Sequence, residues 1–122
     1  MRYVSSAFQE STLRRGKSLE QFLGGAMRHG ERTISWVELR PASDGIEVWY
    51  FEVPDVGSAE FTDVYEFGVD DIESPLATFS SPAQALHYAR TQLGASAERW
   101  VNVTVVGDEY AAFVRAGRPL RT

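Results

Sequence analysis

The residues of this chain that could carry out chemistry are two histidines and many carboxylates. Its 122 residues include His29, His87 and 17 aspartates or glutamates, but no cysteine. Without cysteine there are no disulfides and no thiolate zinc sites, and two histidines make a zinc centre improbable. A histidine acting as a general base needs an orienting partner and a nucleophile within about 3 Å, and no motif supplies either. We expect His29 to be a cation at a helix end and His87 to lie on the surface, where a functional role stays open.

Two groups of acids are spaced so that they could offer oxygen ligands to a hard cation. One is Asp70, Asp71 and Glu73, and the other is Asp55 with Asp63 across a glycine-containing loop. Neither matches the spacing of a calcium-binding loop. No pair of carboxylates is singled out for glycoside hydrolysis, and no glycine-rich phosphate-binding loop is present. The sequence therefore predicts no metal, no cofactor and no enzymatic activity.

The charge of the chain is concentrated in its middle third. The net charge is −5, and residues 41–80 contain ten acidic residues and no lysine or arginine. Such an asymmetry creates a directional electrostatic field, and its self-repulsion opposes folding. We therefore expect the acidic segment to serve a function other than folding.

Aromatic residues are interleaved with these acids along two segments that alternate like strands. In "IEVWYFEV", Glu47, Trp49 and Phe51 point to one face, because neighbouring residues alternate across a strand. In "FTDVYEF", Asp63 and Tyr65 share a face in the same way. An unpaired carboxylate is costly to bury, so this face is predicted to be partly open. The predicted partner-binding residues are Glu47, Trp49, Phe51, Glu52, Asp55, Asp63, Tyr65 and Glu66.

The elements that position these residues begin with helices. Residues 6–15 are predicted to form a short helix. A second helix is predicted from Ser18, because Ser18 and Gln21 have capping-box spacing and Gly30 provides a stop. Apolar residues recur between them with helical period, which favours the same interpretation. These residues are Leu19, Phe22, Leu23, Ala26 and Met27.

Strands follow, and then the strongest helix signal of the chain. Residues 33–53 read as a β-hairpin with a turn at "PASDG", and residues 61–67 and 76–79 as further strands. Ser81 as N-cap, Pro82 at the first position and Gly94 at the stop predict a helix between them. Residues 99–106 read as a strand, and residues 108–117 as either a helix or a strand. The predicted fold is a single α+β domain over residues 1–122, with an antiparallel sheet of about four to five strands packed with two or three helices.

Composition limits the partners that this domain is expected to bind. Hydrophobic residues make up 43% of the chain and charged residues 24%, which is ordinary for a globular protein. No apolar run approaches the roughly 18 residues of a membrane span, and a chain without cysteine fits a reducing cytoplasm. Acids beside the rings would repel phosphate, and the basic patch of Arg14, Arg15 and Lys17 is small. We therefore expect a cytoplasmic protein that binds neither nucleic acid nor membranes, as a monomer or dimer.

In general character, residues 44–73 resemble the small immunity proteins of bacterial toxin–immunity systems, including those of contact-dependent growth inhibition. The likeness covers about a quarter of the chain and includes no family motif. It implies a non-enzymatic inhibitor that binds one basic toxin, often a nuclease, and occludes its active or substrate site. Phage inhibitors of nucleic-acid-binding complexes share this character. Two other classes stay open: a domain that self-associates through its sheet, and a small-ligand or catalytic domain around His87.

Overall fold

The computed structural model of the chain describes residues 2–69 and 72–121. In chain order its helices and strands are α1 (Ser6–Arg14), β1 (Leu19–Arg28), β2 (Glu31–Ala42), β3 (Gly45–Pro54), a 3-10 helix (Val64–Glu66), β4 (Ala77–Phe79), α2 (Pro82–Leu93), β5 (Val101–Asn102) and α3 (Val106–Arg115). The strands form an antiparallel sheet in the order β4–β3–β2–β1–β5. The predicted fold class, an α+β fold with a four- to five-stranded antiparallel sheet, is confirmed.

The β2–β3 hairpin is the centre of the sheet and follows the predicted pattern. Ala42 pairs with Gly45 across a two-residue turn, and pairing continues in register to Thr33 and Pro54. Gly45 has a φ of 144°, and a Cβ at this position would lie 2.2 Å from the carbonyl oxygen of Phe79 in β4. Glycine is therefore required both by the backbone conformation and by the closeness of the edge strand.

The two faces of the sheet carry different cores. On the first, which we call the two-helix face, aliphatic residues of β2 and β3 pack against α1 and α2 through Leu13, Ala85 and Ala89. On the second, the aromatic face, larger side chains pack against α3 and the 3-10 helix. The strand residues on the two-helix face include Val37, Leu39, Ile46 and Val48, and those on the aromatic face include Ile34, Trp36, Phe51 and Val53.

The prediction of a helix from Ser18 to Gly30 is wrong, because residues 19–28 form strand β1. This strand lies between β2 and β5 and is covered on both faces, so its first five residues are all buried. A strand buried on both sides shows no alternation of polar and apolar residues. Its apolar residues matched a helical period by coincidence. Tertiary pairing outweighs this local signal, and His29 lies in the β1–β2 turn at a φ of 53° rather than at a helix end.

Other predictions have mixed outcomes. The helices at residues 6–15 and 82–93, the hairpin and strand β4 are confirmed, and Ser81 caps α2 by accepting from the backbone N–H of Gln84. The strand predicted for residues 61–67 is wrong, because this segment is loop and 3-10 helix. Val64 of this segment belongs to the core on the aromatic face. The strand at residues 99–106 is reduced to β5, and the undecided segment is helix α3. Asp70 and Asp71 lie outside the described residues.

A strand and a helix at residues 19–28 predict opposite effects of Gly25→Ala on stability. A Cβ on Gly25 would lie 2.7 Å from the ring of Phe113, which is itself buried. In a helix, Gly25→Ala would stabilise by about 1 kcal/mol; in this strand we expect it to destabilise by about 1–3 kcal/mol through overpacking. Urea unfolding measures the difference. The double variant Gly25→Ala with Phe113→Leu should be more stable than the sum of the two single effects predicts, because the smaller side chain leaves room for the new Cβ. A stabilising Gly25→Ala would contradict the strand.

Candidate functional site

Four of the predicted site residues gather on the aromatic face, as alternation along β3 predicts for three of them. Glu47, Trp49 and Phe51 project from β3, and Tyr65 approaches the same face from the 3-10 helix. Phe51 is only 8% exposed and stacks between Trp36 and Trp49. Trp49, Tyr65 and Glu47 are half-buried. Phe51 is thus a core residue, and of the three predicted rings only Trp49 and Tyr65 are partly exposed.

Asp55 is not part of the open surface. Its side chain is 1% exposed and forms an ion pair with Arg118. The phenolic hydroxyl of Tyr110 donates to the same carboxylate at 2.5 Å, and Arg118 also donates to the carbonyl of Gly57 at 2.9 Å. This network ties the segment after β3 to α3 and to the C-terminal residues, which is a structural role.

The remaining predicted acids lie in different places. Glu52 is on the two-helix side of β3, where it accepts hydrogen bonds from Arg28 at 2.9 Å and from Thr33 at 2.7 Å. Asp63 and Glu66 are exposed on the loop that contains the 3-10 helix. Of the acids predicted from the sequence, Glu47 therefore remains beside Trp49, and Asp63 and Glu66 remain exposed on the loop that carries Tyr65.

The strand register reveals a candidate site residue that the sequence analysis did not identify. Glu20 of β1 pairs with Glu38 of β2, and Glu38 pairs with Trp49 of β3, so the three form one row across the sheet. The next row consists of Arg40 and Glu47. Glu20 was missed because it was assigned to a helix, whereas the alternation of residues 34–40 in β2 carried a signal for Glu38 and Arg40.

Glu20 is a carboxyl group buried at the base of this row, with 1% of the residue exposed. Its Oε1 atom accepts hydrogen bonds from the hydroxyl of Tyr65 at 2.6 Å and from the backbone N–H of Thr104 at 3.1 Å. Thr104 adopts a φ of 79°, a strained conformation for a β-branched residue. The backbone thus bends unfavourably at the point where its N–H meets the buried carboxyl.

Burial raises the pKa of Glu20 from its ordinary value of 4.5 to about 7. The hydrogen bond from Tyr65 acts in the opposite direction, and the charge of Glu38 adds to the rise. Burial also raises the pKa of Tyr65, so that its phenol stays protonated and remains a donor. Near neutral pH the Glu20 carboxyl is therefore divided between its protonated and ionised forms.

A guanidinium lies beside Glu20 and is held by the neighbouring groups. Arg40 donates to both carboxylate oxygens of Glu38, at 2.7 Å and 3.2 Å. Its guanidinium carbon lies 4.2 Å from the ring centroid of Trp49, within cation–π distance. The indole N–H of Trp49 donates to Glu47 at 3.0 Å. One basic side chain thus stands among three carboxyl groups.

These side chains line a concave site of about 350 Å³, which we call the Glu20 pocket. Val69, Ile72 and Val103 contribute an apolar wall from the loop and from the segment after β5. This volume lies at the low end of the range for small-ligand sites, about 300–1,000 Å³. The remaining lining residues are Glu20, Glu38, Arg40, Trp49, Phe51 and Tyr65.

The Glu20 pocket can exchange a proton and accept hydrogen bonds. Its lining contains no histidine or serine, and Tyr65 is held protonated by its partner. Across residues 2–69 and 72–121, no group of three or more acids or histidines has a metal-binding arrangement. The arrangement can therefore receive a hydrogen-bond donor at its carboxyl groups.

His87 lies on the exposed face of α2, away from this pocket. Its Nδ1 accepts from the guanidinium of Arg90 at 3.2 Å, which requires the neutral ring. It borders a depression of about 280 Å³ that Glu10 and Arg90 also line. The concavity that a catalytic role would need is present, and the side chain that contacts the ring is the guanidinium of Arg90.

Comparison with known proteins gives no relative. No protein-family model matches the chain, and neither a curated protein nor a solved structure is significantly similar to it. Within the part of the chain that the structure describes, every helix is too short or too polar to cross a membrane.

The raised pKa of Glu20 predicts how stability depends on pH. The folded state holds this proton up to about pH 7, whereas the unfolded chain releases it near pH 4.5. The contribution of Glu20 to stability therefore falls as pH rises through this window, by about 3 kcal/mol at about 1.4 kcal/mol per pKa unit. Glu20→Gln mimics the protonated form, so we expect it to be more stable than the wild type at pH 8 and similar at pH 4.

Urea unfolding at several pH values measures this difference, with Glu66→Gln as the matched control because Glu66 is exposed. The control should keep the pH profile of the wild type. A Glu20→Gln profile parallel to that of the wild type would show that the folded and unfolded states release the Glu20 proton at the same pH.

The Asp55 network predicts a large effect of removing its cation. Arg118→Gln leaves the buried Asp55 carboxylate without a counter-charge, and we expect a loss of about 3–5 kcal/mol in the free energy of unfolding. Adding Asp55→Asn should restore part of this loss, since Asn can still accept from Tyr110. Thermal or urea unfolding of the two variants provides the test, and equal stability of both would argue against the ion pair.

Proposed function

We propose that this protein is a non-enzymatic inhibitory binding protein that neutralises a basic partner, such as the nuclease domain of a toxin. The observation that carries the proposal is the surface around the Glu20 pocket, where half-buried aromatic rings stand among carboxylates. We call this surface the acidic aromatic surface and define it as the half-buried residues Glu38, Glu47, Trp49 and Tyr65 together with Asp63 and Glu66, which are exposed on the loop that carries Tyr65.

The rings have the properties of binding anchors. Trp49 and Tyr65 are each fixed by a hydrogen bond, to Glu47 and Glu20 respectively. Rings that are already ordered lose little conformational entropy when a partner covers them. Tryptophan and tyrosine are also enriched among the residues that dominate protein–protein binding energy.

The charges favour a basic partner. Glu47 lies beside the pocket, Asp63 and Glu66 are exposed on the adjoining loop, and residues 41–80 contain no basic side chain. Arg40 offsets one charge, that of Glu38. A surface on which one sign of charge predominates raises the association rate of an oppositely charged partner by a factor of roughly 10–10³. It also disfavours nucleic acid, whose phosphates would be repelled.

Self-association through an exposed sheet, the other binding function that we considered, has less support. Helices α1 and α2 cover one face of the sheet, and α3 with the 3-10 helix covers much of the other. The part of the sheet that stays open carries Glu38 and Glu47, and two copies of a negative surface repel each other.

The proposal is tested first with the protein encoded next to this chain in its genome. Co-expression should protect cells from that protein if it is toxic, and the two purified proteins should form a complex that inhibits its activity. The complex should weaken as salt rises, because exposed charges are screened. If the neighbouring product is not toxic, the same measurements apply to a basic protein that co-purifies with the chain. Failure to inhibit such a partner would contradict the proposed function.

Charge reversal on the loop gives a sharper prediction. Asp63→Lys with Glu66→Lys should slow association with the partner at least tenfold at low salt, with little change in stability because both residues are exposed. Surface plasmon resonance or stopped-flow fluorescence measures the rate. The control is Glu31→Lys with Glu98→Lys, which changes net charge equally at exposed sites elsewhere. Equal effects of the two pairs would assign the rate to net charge rather than to this surface.

A further inference from the structure

We propose that the Glu20 pocket is a receptor for one guanidinium group, the side chain of an arginine that the basic partner inserts between Trp49 and Tyr65. This inference rests on the proposed function, because the arginine belongs to the partner. It adds the chemical group that the site recognises and the residue, Glu20, that recognises it.

The hydrogen-bonding groups of the pocket indicate a ligand that donates hydrogen bonds. Within the pocket, the hydroxyl of Tyr65, the N–H of Thr104 and the indole N–H of Trp49 already donate to carboxyl groups of the protein. The Oε2 atom of Glu20, by contrast, receives no hydrogen bond from any described residue, and only 1% of Glu20 is exposed. Oε2 does not belong to the fully buried polar atoms without a partner, which among the described residues are Trp36 Nε1 and Asp55 Oδ2. It therefore keeps a small accessible area, and a cationic donor fits its free hydrogen-bonding capacity best.

The walls of the pocket favour a planar cation. Tyr65 and the edge of Trp49 supply aromatic surface against which a guanidinium can pack. Phe51 is stacked between Trp36 and Trp49, and Arg40 already lies over the ring of Trp49. The protein itself provides an example, because Arg40 lies on Trp49 at 4.2 Å while it bonds to Glu38. Arg40 makes no hydrogen bond to Glu20 in the described structure, so the deeper carboxyl remains for a second guanidinium.

The charge state of Glu20 couples this binding to pH. The groups that face it are Glu38 and Arg40 from β2, Tyr65 from the 3-10 helix and the N–H of Thr104 before α3. A cation binds the ionised carboxyl, and with a pKa of about 7 the ionised fraction rises about tenfold from pH 6 to pH 8. Affinity should rise by the same factor over this range, with release of a proton.

The test uses a small probe and does not need the partner. N-acetyl-arginine amide is titrated into the full-length protein, and the indole N–H signal of Trp49 is followed by NMR. Trp36 and Trp100 are fully buried and serve as internal references. We expect a saturable shift of the Trp49 signal with a millimolar Kd, a value typical of a single side chain, and a tenfold gain in affinity from pH 6 to pH 8.

Matched probes and variants separate the possible origins of such a shift. The citrulline analogue is nearly isosteric but neutral, the lysine analogue has a cation that is not planar, and inorganic phosphate tests the opposite charge. We expect no saturable binding of citrulline or phosphate and weaker binding of lysine. Glu20→Gln should weaken arginine binding at least tenfold and remove its pH dependence, whereas Glu31→Gln, at an exposed site outside the acidic aromatic surface, should change the affinity less than threefold.

Three results would overturn the inference: no saturable Trp49 shift, equal shifts with arginine and citrulline, or unchanged binding in Glu20→Gln. Because Glu20→Gln is expected to be at least as stable as the wild type, a loss of binding cannot be attributed to unfolding.

The outcome of this test can be distinguished from the outcome of the test of the proposed function. A partner complex that depends on Asp63 and Glu66, with a pocket that ignores the arginine probe, would keep the function and reject the receptor. Binding of the probe without any partner complex would keep the guanidinium site and reject the inhibitory function.

Discussion

The desolvation of one carboxyl group constrains the whole aromatic face. Glu20 lies in a central strand, directly opposite a second glutamate, in a position that most folds would fill with an apolar residue. Folding therefore requires that Glu20 keep a proton or gain compensating partners. The hydroxyl of Tyr65 and the N–H of Thr104 are such partners. The 3-10 helix and the turn before α3 are accordingly placed where they can reach this carboxyl.

The same constraint explains how the acidic segment is distributed. Within residues 41–80, Asp55 is paired with Arg118 and Glu52 with Arg28, two arginines from other parts of the chain. Asp63 and Glu66 are exposed on the loop that carries Tyr65. A binding function that uses this surface would draw on residues that contribute little to stability, whereas the buried acids contribute to folding.

A pocket of this kind links recognition to protonation. When Glu20 is protonated, the aromatic face is at its most stable, and ionisation lowers this stability. A bound guanidinium would restore the balance by supplying the missing counter-charge. The stability of the free protein and its affinity for a basic partner are thus expected to change in opposite directions with pH. Conflicts between local stability and function are usual at binding sites.

Local chemistry was enough to determine part of this protein. The cap at Ser81, the turn before Gly45 and the alternation along β3 depend on neighbouring residues, and the sequence predicted α2, the hairpin and the shared face of Glu47, Trp49 and Phe51 from them. Tertiary structure alone decided the rest. The residues of β1 match a helical period, and they form a strand because β2 and β5 flank them. The sequence indicates a surface position for Asp55, whereas the structure buries it in an ion pair with Arg118, which is distant along the chain. Glu20 gains its burial, its raised pKa and its partners from residues that are distant in sequence. No pattern of neighbours encodes those contacts, because they arise only when the strands pair.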